Sequence, residues 1–151
     1  MCIRDSEKAA AAKQLVSQWT DGRIKLFTIR GLLHFRRADP HLFDKGTFQV
    51  LAVEGANRDH VVALARRHAG RFVVALVPRL VLGVAGPARF PIGRRVWGET
   101  EVVLPGDMSP NLTEVLTGRS LKGTRGRLKL ADALGILPVS LLSSGHSRHE
   151  G

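Results

Sequence analysis

Asp21 and Lys25 stand four residues apart at the start of a helical run, "TDGRIKLFTIRGLLHFRRADPHLF", residues 20–43. At about 100° per residue, Arg23, Arg30, His34 and Arg37 share one stripe of that helix. Lys25 points instead into the arc of Ile29, Leu32 and Leu33. A lysine turned toward apolar neighbours needs acceptors for its ammonium group. Sugar hydroxyls, or a carboxylate in a cleft, would supply them. The plainer alternative is an aspartate that caps the helix and pairs with a lysine one turn on, an arrangement worth a few tenths of a kcal/mol, about 0.2–0.5.

Other residues offer weaker chemistry. His146 and His149 have an H-x-x-H spacing, but no third ligand lies near them in the Ser/Gly-rich end, so no metal site is expected. His41 follows Pro40 and reads as a surface or capping residue. Glu99 and Glu101 alternate on one face of a predicted strand, with nothing to mark them as the acid and nucleophile of a glycosidase. "GRSLKGTRGRLKL" gathers Arg119, Lys122, Arg125, Arg127 and Lys129 around three glycines. It is the best polyanion-binding candidate, yet it lacks aromatic platforms and has no P-loop spacing. Asn111 matches a glycosylation acceptor that has meaning only in an exported protein. No G-x-S-x-G motif and no Cys–His pair occurs, so the chain carries no visible catalytic apparatus and implies no cofactor.

The elements that must position these residues fall into two groups. "EKAAAAKQLVSQW" reads as a first helix, with Leu15, Val16 and Trp19 at helical spacing. Thr20 or Asp21 would cap a second helix that ends near Ala38, before Pro40. Leu42 and Phe43 would pin its end to a core. From Gly46 onward, "TFQVLAV", "HVVALARRH", "RFVVALVP", "ETEVVL", "LTEVLTG", "RLKLADAL" and "LPVSLL" are short β-branched runs between turn residues. His68–Arg71 reads as a hairpin, and "VAGPARFPIGRR" as an irregular connection. The fold class expected is mainly β, an antiparallel β-sandwich preceded by two helices. The second helix is apolar over most of its circumference and needs cover that this chain does not supply.

With 151 residues and 44% hydrophobic content, the chain is large enough for one ordinary domain. The formal net charge of +10 raises the prospect of a polyanionic partner, but the basic residues are scattered along the chain. A free-standing basic β-domain binding nucleic acid is therefore the alternative reading. Cys2 is the single cysteine, which excludes an internal disulfide and a cysteine-based zinc site and points to a cytoplasmic protein. Neither a membrane span nor a signal pattern is evident. Residues 1–6, "MCIRDS", resemble a translated sequencing-adapter peptide and are set aside from the fold. The organisation expected is two helices over 7–43, the sandwich over 44–142, and a disordered tail over 143–151.

"WTDGRIKLFTIRGLLHFRR" with "DPHLF", then "HVVALARRH", "VALVPRL", "VWGETEVVLP", "LTEVLTGRSL" and "LADALGILPVSLL", resemble in this order the C-terminal end of the maltooligosyltrehalose synthases of glycoside hydrolase family 13, the α-amylase clan. The similarity runs from about Leu15 to Leu142. It implies that the second helix is the last helix of a (β/α)8 barrel whose remainder is missing here. It also implies an intramolecular transglucosylation that turns the reducing-end α-1,4 linkage of a maltooligosaccharide into an α,α-1,1 linkage. Asp21 and Lys25 would then bind substrate by gripping the reducing-end glucose. The catalytic carboxylates would lie outside these 151 residues, leaving this piece inactive by itself.

Overall fold

The computed structural model describes residues 5–108 and 110–144. Ala9, Ala10, Ala11 and Ala12 with their charged neighbours are strong helix formers, and they form the centre of α1, Asp5–Ser17. A 3₁₀ turn, Trp19–Asp21, and a left-handed Gly22 (φ 79°) follow. Only the absent Cβ of glycine makes that backbone cheap. α2 then runs over Arg23–Ala38 and stops two positions before Pro40, leaving Asp39 outside the helix as the restriction ahead of proline requires. Pro40 opens the short α3, Pro40–Asp44, whose Leu42 is almost wholly buried. Burying such a side chain contributes about 1.5–3 kcal/mol, so Leu42 fastens the helical corner to the sheet below it.

Among the described residues, nine strands follow. β1 (Thr47–Val50), β3 (Val61–His68), β4 (Arg71–Pro78), β6 (Asn111–Glu114), β7 (Ser120–Lys122) and β9 (Ser140–Ser144) form an antiparallel sheet in the order β1-β3-β4-β9-β6-β7. β2 (Val53–Glu54), β5 (Glu101–Val103) and β8 (Arg127–Lys129) form a second sheet in the order β2-β5-β8. Three short helices lie in the connections: α4, Leu82–Ala85; α5, Arg94–Trp97; α6, Leu130–Ala133.

Alternation along the strands sorts the cores. Ala63, Ala65, Val74, Leu76 and Leu142 face the small sheet and pack with Val102, Leu128 and the buried Trp97. Val73 and Leu141 point to the opposite face, where Leu42, Phe35 and Phe43 cover them. The large sheet therefore lies between the small sheet and the α2–α3 corner. A third cluster seats Ala12 of α1 and Ile24 of α2 on Leu116, Ile136 and Leu137.

The expected sandwich is present, with differences in detail. "TFQVLAV" is divided between the two sheets, because the chain changes layer between β1 and β2. In "RLKLADAL" only Arg127–Lys129 is strand, and the rest turns into α6. β7 was not foreseen as a strand. The connection expected to be wholly irregular contains the start of α5. β9 continues through Ser144, beyond the anticipated boundary at 142, because the Ser144 hydroxyl both accepts from the Phe72 amide (3.0 Å) and donates to its carbonyl (3.2 Å). α1 begins at Asp5, ahead of Glu7. Residues 145–151, including His146 and His149, lie outside the described residues.

Candidate functional site at the start of the second helix

Trp19, Asp21 and Lys25 occupy the tight passage from α1 into α2. Asp21 does not cap the helix by its side chain. The N-cap is Gly22, and Asp21 instead closes an Asx turn, with Oδ1 accepting the Arg23 amide at 2.9 Å. Its Oδ2 accepts Arg23 Nε at 2.7 Å, and Arg23 Nη2 donates in turn to Gln18 Oε1 at 2.5 Å. The ion pair of Asp21 is thus with Arg23, two residues on, and not with Lys25 as the plainer alternative had it. The Arg23 amide first, and then its guanidinium, holds the Asp21 carboxyl below its usual range, so Asp21 is a fixed anion.

Lys25 is exposed, which corrects the expectation that it is turned into a buried surface. The reason lies in how α2 docks. Its covered face contains Ile24, Phe27, Gly31 and Phe35, about a third of a turn away from Lys25. Of the arc that Lys25 shares with Ile29, Leu32 and Leu33, Leu32 is half-buried against two of the apolar clusters, and the rest faces outward. Leu26 is 70% exposed, Ile29 44% and Leu33 53%. Arg23, Arg30, His34 and Arg37 are exposed as well, as their common stripe predicts. α2 therefore has a docked face, a charged face and an apolar strip that nothing among the described residues covers.

Trp19 departs from its expected place on the apolar side of the first helix. It lies in the 3₁₀ turn, 46% exposed, in a T-shaped contact with Phe90 at a centroid distance of 5.6 Å. The two rings border a groove of about 270 Å³ lined also by Leu82, Pro87, Arg89 and Pro91. The only sequence sign of it was an aromatic bracketed by prolines in "GPARFP".

The remaining candidates disperse. Glu99 lies outside the strand that holds Glu101 and accepts from Lys129 Nζ (2.8 Å) and Arg94 Nη2 (3.2 Å). These cations hold the Glu99 carboxyl low, so it is no proton donor near neutral pH. Arg127 pairs with Glu54, and Arg119 donates to the Asp132 carbonyl at 2.9 Å. The basic loop is therefore partly neutralised and shared between two sheets. His41 is on α3 with its ring 6.1 Å from that of His68, and no group of three metal-binding side chains occurs among the described residues. No helix among them is long and apolar enough to cross a membrane.

No model of a known protein family matches the chain, and no curated protein does. Among solved structures, a mutant of maltooligosyltrehalose synthase from Arthrobacter ramosus superposes with a TM-score of 0.60 at 26% identity. The match covers 89% of this chain and 17% of that one. The chain shares its fold with part of a carbohydrate-active enzyme. A maltogenic alpha-amylase from Thermotoga neapolitana aligns more loosely, with a TM-score of 0.43 at 11% identity over 77% of this chain and 22% of that one. The match to the synthase has the extent expected of a small part of a larger enzyme.

Proposed function

We propose that the chain is the C-terminal part of an enzyme that converts maltooligosaccharides to maltooligosyltrehalose by intramolecular transglucosylation. The observation that carries this reading is the uncovered strip of α2. An amphipathic helix that docks one face on its own sheet and leaves Leu26, Ile29 and Leu33 in water lacks a second packing partner. The strands of a (β/α)8 barrel are such a partner, and the likeness to the synthase supports that assignment. Residues 7–43 then belong to the barrel, and 44–142 with the end of β9 form the sandwich behind it.

In the longer protein, cover over the Leu26–Leu33 strip places Lys25 at the edge of a cleft. There its ammonium and the Asp21 carboxylate grip hydroxyls of the reducing-end glucose. The grip matters because the freed glucose has to turn over without escaping to water. Carboxylates elsewhere in the enzyme cleave and re-form the glycosidic bond by retaining logic.

The reading frame upstream of codon 7 in the source DNA tests the assignment. An in-frame barrel with its carboxylates is expected. A start codon with its own promoter at that point would contradict it. In the longer enzyme, Asp21→Ala or Lys25→Ala should shift product toward free glucose, and unchanged partitioning at unchanged rate would remove both residues from the subsite.

A further inference from the structure

We infer that β1 is the contact strand of a symmetric dimer: Thr47–Val50 pairs with the same strand of a second copy of this chain and joins two large sheets into one. This holds whichever reaction the protein takes part in.

The hydrogen-bond phase of β1 decides what its free edge can take. Leu51 N–H donates to the Ala63 carbonyl at 2.9 Å, and β1 runs antiparallel to β3 with Gln49 opposite Ala65 and Phe48 opposite Arg66. Inward and outward pairs alternate along such a ladder. Thr47 and Gln49 therefore aim their backbone groups at β3, while Phe48 and Val50 aim theirs away from it. Among the described residues, no strand lies beyond β1. The same two residues carry apolar side chains that are 59% and 66% exposed. Another β-strand answers both demands, pairing the backbone and covering the side chains.

The other outer strands show why that strand is a second β1. Charge on an edge strand discourages pairing. β7 carries Lys122, β2 carries Glu54, and β8 carries Arg127 and Lys129. β1, with the sequence Thr-Phe-Gln-Val, has neither charge nor proline. In a chain of net charge +10, a neutral strand lets two copies meet without setting like charges face to face. β1 is also its own complement. A two-fold axis at Gln49 sets Phe48 opposite the partner's Val50 in both directions, and each such pair exchanges both of its N–H···O bonds. It also stacks an aromatic ring beside a β-branched side chain twice on one face. Arg66 lies over that ring, 5.9 Å from its centroid, on the β3 side. So short a strand buries less than the roughly 1,200 Å² of a standard interface, so a dissociation constant on the order of 10–100 μM is expected. Screening of the net charge should tighten it as salt rises.

Sedimentation velocity on the natural protein that carries this chain, whatever its length, tests the dimer. A monomer–dimer equilibrium that strengthens with salt is expected. Gln49 is exposed and its backbone stays bonded to β3, so Gln49→Lys should leave Tm unchanged. It should weaken association about tenfold, because two ammonium groups then face each other across the axis. Gln49→Cys should cross-link two copies under mild oxidation, since Cα atoms of such a non-hydrogen-bonded pair lie about 4.5 Å apart. Thr47→Cys, set opposite the partner's Leu51, should not. Absence of association, association that Gln49→Lys leaves unchanged, or equal cross-linking from both positions overturns the proposal. So does a monomer in which the Gln49→Cys thiol is shielded from a soluble thiol reagent, because another part of the protein then covers β1.

Discussion

Gly31 of α2 lies against Leu116 in the β6–β7 turn so closely that a Cβ on Gly31 would sit 2.5 Å from Leu116 Cδ2. This contact fixes which face of the helix is docked, and hence which face is left bare. Gly31→Ala gains about 1 kcal/mol of helix propensity and loses part of it in displacing one terminal methyl, so its net effect should be small. Gly31→Leu keeps a good helix former but must push α2 off the turn, and should cost about 1–3 kcal/mol in urea denaturation.

Glu114 is 1% exposed, and it stitches the β6–β7 turn to β9. Its Oε2 accepts the Thr117 amide at 2.8 Å and the Thr117 hydroxyl at 2.5 Å, and its Oε1 accepts the Leu141 amide at 3.4 Å. Glu114→Ala leaves these buried donors without an acceptor, and should lower unfolding free energy by about 1–3 kcal/mol or more. Glu114→Gln retains acceptor capacity and should lose less. Paired chemical denaturation curves give the comparison.

Asp107 receives two guanidinium hydrogen bonds from Arg67, one of them 2.6 Å long. These bonds hold its carboxyl down from the usual 3.8 to about 2. A depressed carboxylate contributes stability that is fully present above its unfolded value and is lost as pH falls through its folded value. The Arg67–Asp107 contribution should therefore persist above pH 3.8 and disappear on acidification toward about 2. Asp107→Asn should flatten that part of the curve of Tm against pH.

The hairpin at 68–71 was legible in the sequence because its signal is local. Ala69 (φ 48°) and Gly70 (φ 78°) both take the left-handed conformation of a two-residue turn. The sandwich was legible in its alternating runs, and the end of α2 in Pro40. Lys25 was misread because helical periodicity fixes which residues share an arc, not which arc is docked. Gly31 and Leu116, 85 positions apart, decide that, and no local pattern announces their contact. Trp19 and Phe90 meet for the same long-range reason, so beyond the proline-bracketed aromatic of "GPARFP" nothing in the sequence announced the groove beside them.

Leu26 and Leu33 should respond oppositely in two settings. In the 151-residue chain both are exposed, so Leu26→Lys with Leu33→Lys should change stability by no more than about 0.5 kcal/mol per site and reduce self-association seen by light scattering. In the longer enzyme proposed above, the same pair would bury two charges against the barrel, and should cost at least about 2 kcal/mol. Equal, negligible effects in both settings would mean that the strip is never covered.

The most direct test of the account is to follow the reducing ends of maltopentaose with the longer protein proposed to contain this chain. Reducing ends should disappear with little release of free glucose, and an α,α-1,1 anomeric signal should rise in proportion. Accumulating reducing ends, or no turnover at all, would contradict it.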